Sequence, residues 1–321
     1  MIERFVAFWD SRETPETLAW LRIAMPLVVL TDLLHARWLG IHRVMWSPIG
    51  EGGWSVTAAS ADEIPMIMQV FGATTEVATG TFWATCLACM LLASGTFSRT
   101  SALALVLLWA QLEDMLPVAD RAIDRLYRNL LLVLAFSGAG RAWSVDAWLS
   151  TGSWRGSGDV VGGWARRLFI LQVTWMYLDA GLEKTAASWS IFGSYDALYI
   201  ILQDPIISRF DFSGLGPIFH GLTRVGTAGS VWWEMLFPLV AVQLFVSDPR
   251  PEIPRRQRIR RLARWLRAHH AREVWLAVGL CFHLALWFTL ELGMFPLAMM
   301  VLYPCFYGPE ELPVTRAPQS P

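Results

Sequence analysis

Long apolar runs, separated by short polar segments, dominate this chain. A helix needs about 20 mostly apolar residues to cross roughly 30 Å of hydrocarbon. Runs of that length predict seven membrane spans, near residues 17–36, 76–96, 99–117, 125–141, 164–185, 228–247 and 273–292. A further run, 294–307, follows Gly293, contains Pro296 and is short for a full span. The pattern predicts an all-α fold, a polytopic integral membrane helical bundle of about 7–8 transmembrane helices with interfacial amphipathic helices.

Two segments between the spans have patterns typical of interfacial helices. Within 255–269, apolar residues recur at helical spacing among arginines, at Ile259, Leu262, Trp265 and Leu266. Such a helix lies on an anionic leaflet, where each basic residue contributes about 1 kcal/mol. Residues 196–207 predict a second interfacial helix, which Pro205 ends, and the Gly- and Ser-rich residues 151–163 predict a flexible loop.

The composition excludes an ordinary soluble domain. Hydrophobic residues make up 55% of the 321 residues and charged residues 17%, whereas a soluble domain has about 25% charged residues. No P-loop and no G-x-G-x-x-G motif is present, so no nucleotide site is predicted. Cys86 and Cys89 form a C-x-x-C inside an apolar run without a second pair, which favours small buried helix residues over a metal site. We expect residues 1–321 to form a single transmembrane domain with no separate soluble domain.

The distribution of arginine predicts an orientation. Residues 248–272 contain nine arginines against Asp248 and Glu252, a net charge of +7, while the whole chain carries −1. By the positive-inside rule, this loop and the N-terminus lie in the cytoplasm, and the expected location is a bacterial inner membrane. Nucleic-acid binding is the alternative interpretation of an arginine run, but the adjacent spans favour the membrane. The segments expected on the opposite side are 37–75, 113–124 and 186–227.

Polar groups inside the predicted spans are candidates for pairing or for function, because a charge at a helix centre costs about 2.5–3.5 kcal/mol. These groups are Arg22, Asp32, Arg125, Arg128, Asn129, Asp179, Glu183, Lys184, Glu234, His283 and Glu291. Structural pairing is the favoured interpretation for Arg22, Asp32 and Arg128. His283 lies mid-span, a position that suits either a hydrogen-bonded core residue or a functional one.

Lys184 is the only lysine in a chain that contains 25 arginines. Arginine stays protonated in proteins, whereas a desolvated lysine can lose its proton and act as a base. Lys184 ends the apolar run 175–184, and at 3.6 residues per turn it points about 100° away from Glu183. We therefore interpret Lys184 as a candidate general base. A lysine that snorkels from a helix end is the alternative.

Several stretches, taken in their order and spacing, resemble a known family. They are residues 4–5 with 22–23, 143–146, 180–189, 202–205, 233–238, 282–283 and 293–295. Together they resemble the membrane part of vitamin K-dependent gamma-carboxylase and its bacterial relatives, the HTTM (horizontally transferred transmembrane) domain proteins. The resemblance extends over residues 4–307.

The resemblance implies a chemistry for the candidate base. In the carboxylase, the lysine of A-G-x-x-K-x-x-x-x-W is taken as the base that deprotonates vitamin K hydroquinone, and Lys184 matches it. His283 matches a family histidine that orients the quinone oxygen. The resemblance thus implies Lys184 and His283 as catalytic residues and a vitamin K-like quinone as cofactor. The cofactor contacts that it implies are Tyr177, Gly181, Trp189 and Trp143.

The sequence departs from the carboxylase in three ways. Glu183 stands where the carboxylase has a second lysine, and Ile123 or Asp124 stands where it has a histidine. The large lumenal domain that binds the carboxylase's substrate has no counterpart in these 321 residues. Carboxylation of a protein glutamate is therefore not the only activity to consider.

Three functional classes fit the sequence. The first is a carboxylase-like membrane enzyme with a quinone-type cofactor. The second is a factor similar to sporulation-delaying protein B, which matures or exports a secreted peptide toxin, and the third is a non-catalytic membrane transporter or scaffold. The expected partners are membrane lipid and a secreted peptide or protein substrate, with neither nucleic acid nor metal. If Lys184 and His283 line one cavity, the fifth and seventh spans must be neighbours.

Overall fold

The computed structural model describes residue 6 and residues 9–55, 64–190, 192–247 and 257–312. Most of these residues are helical, as the apolar runs predict. The α-helices are α1 (Glu16–Trp38), α2 (His42–Trp46), α3 (Met66–Phe71), α4 (Thr75–Ser94), α5 (Ser98–Met115), α6 (Ala122–Ser137), α7 (Val145–Thr151), α8 (Trp164–Leu182), α9 (Ala197–Gln203), α10 (Pro217–Met235), α11 (Pro238–Ser247), α12 (Gln257–Ala268), α13 (Ala271–Thr289) and α14 (Phe295–Leu302). Short 3-10 helices lie at Ile49–Glu51, Pro117–Ala119, Ala139–Arg141, Ala187–Trp189, Tyr303–Phe306 and Pro309–Glu311.

Local sequence signals determine where several helices begin. α4 follows Thr74, whose hydroxyl accepts a hydrogen bond from the Val77 N–H at 3.3 Å. α7 follows Ser144, whose hydroxyl accepts one from the Ala147 N–H at 2.9 Å. Such a cap satisfies an N–H group that the first helical turn leaves without a partner. Pro296 lies in the first turn of α14, where its missing N–H is tolerated, so the last apolar run forms a helix separate from α13.

Four helical segments are long and apolar enough to cross a membrane: Glu16–Trp38, Thr75–Ser94, Pro217–Leu244 and Ala271–Thr289. They correspond to the first, second, sixth and seventh predicted spans. The third, fourth and fifth predicted spans are the helices α5, α6 and α8. Of these, α6 has only 16 residues, which is short for a membrane crossing. The total of seven to eight spans stays a prediction.

The predicted start of the sixth span was wrong. The helix begins at Pro217, whereas the sequence indicated a start near residue 228. Glycines and polar residues dilute the apolar run between these two points, so the hydrophobic pattern does not show where this helix begins. The predicted outer segment 186–227 therefore contains the beginning of α10.

A short antiparallel pair of strands also departs from the prediction. β1 (Arg12–Glu13) pairs with β2 (Val161–Gly162), and the Gly163 N–H donates to the Ser11 carbonyl at 2.7 Å. The prediction of a flexible loop over residues 151–163 is therefore wrong at Val161 and Gly162, which form a strand. Backbone groups there are satisfied by the segment that precedes α1.

The described chain forms two compact units. The N-terminal unit comprises residues 9–168 and 307–312, and the C-terminal unit comprises residues 169–306. In the N-terminal unit, α4 packs against α1 and α5, and α5 packs against α6. In the C-terminal unit, α12 packs against α11 and α13, and α13 packs against α14. Apolar side chains fill the core of the N-terminal unit, among them Leu18, Leu21, Phe82, Leu105 and Leu130.

Arg22 occupies the centre of the N-terminal unit and is fully buried. Its guanidinium donates hydrogen bonds to backbone carbonyls at the ends of two helices and in the turn beyond. The acceptors are Leu92 O at 2.8 Å, Ala93 O at 2.9 Å, Ala139 O at 3.3 Å and Trp143 O at 2.6 Å. The sequence predicted structural pairing for Arg22, and its hydrogen-bond partners among the described residues are backbone carbonyl oxygens.

The other two predicted structural charges do pair with opposite charges. Asp32 on α1 accepts a hydrogen bond from Arg121 at 2.8 Å. Arg128 on α6 lies 3.1 Å from Asp120. These ion pairs satisfy the charged groups near the ends of the helices, as the cost of an unpaired charge requires.

Candidate functional site

The ammonium of Lys184 is held inside the C-terminal unit. Lys184 lies just beyond the end of α8, and its Nζ donates to the carboxylate of Glu234 on α10 and to the Ala180 carbonyl at 3.1 Å. The Trp189 ring lies beneath it, with Nζ 5.3 Å from the ring centroid. The Lys184 side chain is 19% exposed and the Glu234 side chain 7%. The lysine is thus paired with a buried carboxylate and is not extended into solvent.

Gly181 explains how the two chain segments come so close. A Cβ at this position would lie 2.9 Å from Met235 Cγ, 3.0 Å from Met235 N and 3.2 Å from Glu234 Cβ. Only glycine allows the last turn of α8 to pack directly on the backbone of α10. The glycine of the A-G-x-x-K stretch therefore places the lysine within reach of Glu234.

The acidic neighbours of Lys184 on the same chain segment are more exposed than the lysine. Asp179 and Glu183 are exposed, whereas Lys184 is half-buried. Glu183 and Lys184 lie beyond the last helical residue, Leu182, so the predicted helical rotation between them stays a prediction.

A second polar cluster lies in the same unit. The Tyr177 hydroxyl hydrogen-bonds His283 Nε2 at 2.7 Å and the Tyr303 hydroxyl at 2.9 Å. His283 is fully buried. Its Nδ1 has no hydrogen-bond partner among the residues that the structure describes. A buried ring nitrogen without a partner is costly, so this atom marks a place where a polar group of a ligand or a water molecule would be stabilised.

Aromatic rings surround Tyr177. Its ring stacks on Phe237 at 4.3 Å between centroids and meets Trp233 edge-on at 4.7 Å. Gly279 on α13 leaves the space for these groups, since a Cβ there would lie 2.2 Å from the Tyr303 hydroxyl and 2.5 Å from Trp233. The Trp233–Glu234 dipeptide therefore contributes one residue to the aromatic cluster and the next to the lysine pair.

The structure tests the predicted neighbourhood of Lys184 and His283 in part. The hydrogen bond between Tyr177 on α8 and His283 on α13 confirms that the fifth and seventh predicted spans are neighbours. His283 is buried and does not face lipid. That Lys184 and His283 line one cavity stays a prediction.

The four predicted cofactor contacts have different surroundings. Trp189 faces the Lys184 ammonium, while Tyr177 uses its hydroxyl to hold His283. Gly181 packs against α10. Trp143 belongs to the N-terminal unit, where its carbonyl accepts a hydrogen bond from Arg22 and its N–H donates to Trp154 O at 2.6 Å.

Two residues of these clusters were not predicted as site residues. Glu234 stood out only as an acidic group within an apolar run, and Tyr303 gave no signal. The stretch 233–238 was also among those that resemble the carboxylase, which is a second indication of Glu234.

A third cluster in the C-terminal unit anchors the segment before α9. His220 Nε2 lies 2.7 Å from an Asp196 carboxylate oxygen, and the Tyr199 ring lies 4.5 Å from the His220 ring. Arg224 donates to the Ser194 carbonyl at 2.6 Å. Hydrogen bonds from Ser194 and His220 lower the pKa of Asp196. The first turns of α10 are thereby tied to residues 194–199.

The N-terminal unit contains two buried cysteines and a group of three neighbouring carboxylates. Cys86 and Cys89 are buried in α4 and are not joined by a disulfide. Carboxylate oxygens of Glu113, Asp120 and Asp124 lie within 4.8 Å of one another. The last two are engaged by arginines, Asp120 by Arg125 and Arg128 and Asp124 by Arg121.

The comparison with protein families matches the HTTM domain over residues 12–203, more than half of the chain. The chain belongs to the HTTM family. In this HTTM protein the match includes Tyr177, Lys184 and Trp189 and ends before Glu234 and His283. Comparisons with curated proteins and with solved structures gave no match. Family membership and the four apolar helical segments together identify a helical membrane protein.

Proposed function

We propose that this HTTM protein is a carboxylase-like membrane enzyme in which Lys184 acts as a general base on a quinone-type, lipid-soluble cofactor. The observation that carries the proposal is the pairing of the only lysine with the buried carboxylate of Glu234, with the lysine ammonium over the Trp189 ring. A lysine that snorkels extends its ammonium into water. Lys184 instead keeps its ammonium on a carboxylate that is 7% exposed.

The residue type supports a role that requires loss of a proton. Arginine fills every other basic position of the chain, so a fixed positive charge here would be served by arginine as well. Arginine does not deprotonate in proteins, whereas lysine does when its surroundings favour the neutral amine. Lys184 is half-buried, and its ammonium lies between a buried carboxylate and the Trp189 ring.

The polar and aromatic groups of the C-terminal unit fit a flat cofactor that carries oxygen atoms. His283 Nδ1 is buried and has no partner among the described residues, so it would hydrogen-bond a ring oxygen. Trp189 offers an aromatic face beside the Lys184 ammonium. When bound, a quinol of the vitamin K type supplies an ionisable hydroxyl and a ring that oxygen can oxidise.

The chain's own groups then have distinct tasks. With such a quinol bound, the neutral amine of Lys184 would take the proton of its hydroxyl, and Glu234 would hold the resulting ammonium by accepting its hydrogen bond. Tyr177 and Tyr303 fix the ring of His283 through the Nε2 side, which leaves Nδ1 to orient the ligand. The apolar surroundings exclude water, which strengthens each of these electrostatic interactions.

The test is the exchange of Lys184 for a cation that keeps its proton. Lys184→Arg and Lys184→Ala should both abolish quinol oxidation by the purified protein, with expression and folding unchanged. A small added amine should partly restore the activity of Lys184→Ala. Glu183→Gln, which changes an exposed neighbour, is the matched control and should retain full activity. A fully active, normally expressed Lys184→Arg protein would show that the lysine supplies only charge.

The cofactor is tested separately by organic extraction of the purified protein. Mass spectrometry of the extract should find a quinone, and His283→Phe should lower its amount at least about fivefold, as expected for the loss of one buried hydrogen bond. An extract without any quinone would contradict the quinone cofactor and favour maturation of a secreted peptide. The same Lys184 variants would then be tested for loss of the mature peptide.

A further inference from the structure

We infer that Glu234 takes up the resting proton of Lys184, so that the Lys184–Glu234 pair, and not the lysine alone, is the base. This inference rests on the proposed function and assigns the role of proton acceptor for Lys184 to a residue outside the family match. It follows from the packing that brings the two side chains together, from their burial, and from the lack of a second acid paired with Lys184 among the described residues.

The pair is fixed by rigid elements on both sides. Gly181 lets α8 pack closely on α10, since a Cβ there would lie 3.0 Å from Met235 N and 3.2 Å from Glu234 Cβ. The Ala180 carbonyl receives a second hydrogen bond from Nζ at 3.1 Å, and the Trp189 ring covers the ammonium. The packing of the two chain segments therefore brings the side chains of Lys184 and Glu234 into contact, and neither has to extend across open space.

The burial of the carboxylate narrows the free-energy gap between two protonation states of the pair. An ion pair loses hydration on both charges when it is taken out of water, and the mutual attraction offsets this loss only in part. The alternative, a neutral amine beside a neutral carboxylic acid, loses less hydration. The ion pair is the resting state, and burial of Glu234 at 7% exposure lowers the cost of moving one proton within the pair relative to the same transfer in water.

The proton balance is complete within the pair and the substrate. First the N–H bond of the Lys184 ammonium breaks and an O–H bond forms on Glu234, which gives an amine and a carboxylic acid. Next the amine lone pair takes a proton from an acidic hydroxyl of the substrate, so that the substrate O–H bond breaks and a new N–H bond forms. The products are the substrate oxyanion, the ammonium and neutral Glu234, and no oxidant or reductant enters this step.

The residues on the same segment as Lys184 do not compete for this role. Asp179 and Glu183 are exposed, and neither forms an ion pair with the ammonium among the residues that the structure describes. Glu183→Gln therefore removes a carboxylate next to Lys184 in sequence without touching the pair. It serves as the matched control for Glu234→Gln.

The single lysine allows the pair to be tested without a known substrate. Reductive methylation with formaldehyde and a borane modifies only neutral amines, and this chain offers Lys184 and the N-terminus. Lys184→Arg gives the rate at the N-terminus alone, and peptide mass spectrometry assigns the Lys184 signal. The reagent is small, so a half-buried amine remains within its reach.

Glu234→Gln should methylate Lys184 about tenfold faster or more at neutral pH, since an opposite charge in contact favours the charged form by a factor of about 10 to 1000. Glu183→Gln should methylate at the wild-type rate. Equal rates in wild type and Glu234→Gln would overturn the inference, as would an equal rise in both variants.

Glu234→Asp provides the test if Glu234→Gln does not fold. The shorter side chain withdraws the carboxylate from Nζ, so the methylation rate should rise by a smaller factor, and an unchanged rate would overturn the inference. Failure of the inference is distinguishable from failure of the proposed function. An active Lys184→Arg protein refutes the base whatever the methylation rates are, whereas an inactive one with unaltered rates refutes only the role of Glu234.

Discussion

The close contact of Gly181 with α10 determines where the ammonium of Lys184 lies. The glycine has backbone atoms of Met235 at contact distance, and the carboxylate of Glu234 follows from that packing. Gly181 carries no functional group, but its packing thus controls the surroundings of Lys184, three positions later in the chain. Its substitution should affect stability and the lysine together.

Gly181→Ala should lower the free energy of unfolding by about 1–3 kcal/mol, because the added methyl group overpacks a contact with backbone atoms. It should also raise the methylation rate of Lys184, since the two helices must separate to admit the methyl group. Thermal unfolding in detergent and the methylation assay measure the two effects.

Gly229→Ala is the control for this prediction. Nothing lies within 4 Å of the position that its Cβ would occupy, and it is in the interior of α10. Alanine there should leave Lys184 unaffected and should stabilise the helix by up to about 1 kcal/mol. Equal destabilisation by both substitutions would contradict the role assigned to Gly181.

The sequence predicted Lys184 from counting alone, because one lysine among 25 arginines is visible without a structure. It could not predict Glu234 as the partner, since the two residues are 50 positions apart and the contact depends on how α8 crosses α10. Nor could it predict that Arg22 binds carbonyl oxygens. Every helix end offers these, so residue types do not distinguish one partner from another.

At the scale of elements, α12 shows how a single helix can contact protein and lipid. Leu266 is buried, whereas Leu262 is 42% exposed and Trp265 57% exposed. Arg261 and Arg264 are exposed on the adjoining face. The exposed apolar residues lie between the buried face and the arginines, which is the arrangement of a helix at a bilayer surface.

A fluorophore that reports polarity should distinguish these faces. Attached at Trp265→Cys in proteoliposomes, it should emit at shorter wavelength and be quenched by brominated lipids when anionic lipid is present. Salt or purely zwitterionic lipid should weaken the effect, because arginine attraction to the leaflet is screened. The same label at Arg264→Cys should emit at the longer wavelength typical of an aqueous environment. Identical emission at both positions would show that α12 does not lie at the bilayer surface.

The hydrophobic pattern predicted the helices α1, α4, α5 and α13 to within a few residues, because uninterrupted apolar runs leave no alternative. It misplaced the start of α10 and missed β2. Both errors arise where the interaction that decides the structure is not local. The strand depends on pairing with residues near the N-terminus, and α10 depends on its contacts with residues 194–199.

For the whole molecule, the direction of insertion follows from the arginines between α11 and α13. Part of that segment, residues 248–256, lies outside the described residues, so its orientation rests on charge. Nine arginines against two acidic residues should keep the segment on the cytoplasmic side. Residues around 213 should then lie on the opposite side.

Single cysteines at Ser247 and Ser213, in a background without Cys86, Cys89, Cys281 and Cys305, test this orientation. An impermeant maleimide added to intact cells should label the Ser213→Cys protein and leave the Ser247→Cys protein unlabelled. Labelling after permeabilisation verifies that both sites are reactive. The reverse pattern on intact cells would invert the topology.

The hydrogen bonds of Arg22 also constrain how the protein is made. Arg22 leaves the ribosome 121 residues before Trp143, whose carbonyl is one of its acceptors, and 70 residues before Leu92. Until those residues arrive, the apolar helix α1 carries a cation in its second turn with none of its native acceptors. The helix must therefore wait at the translocon or at a lipid headgroup, and biogenesis of the N-terminal unit is complete only when the turn after α6 closes around the guanidinium.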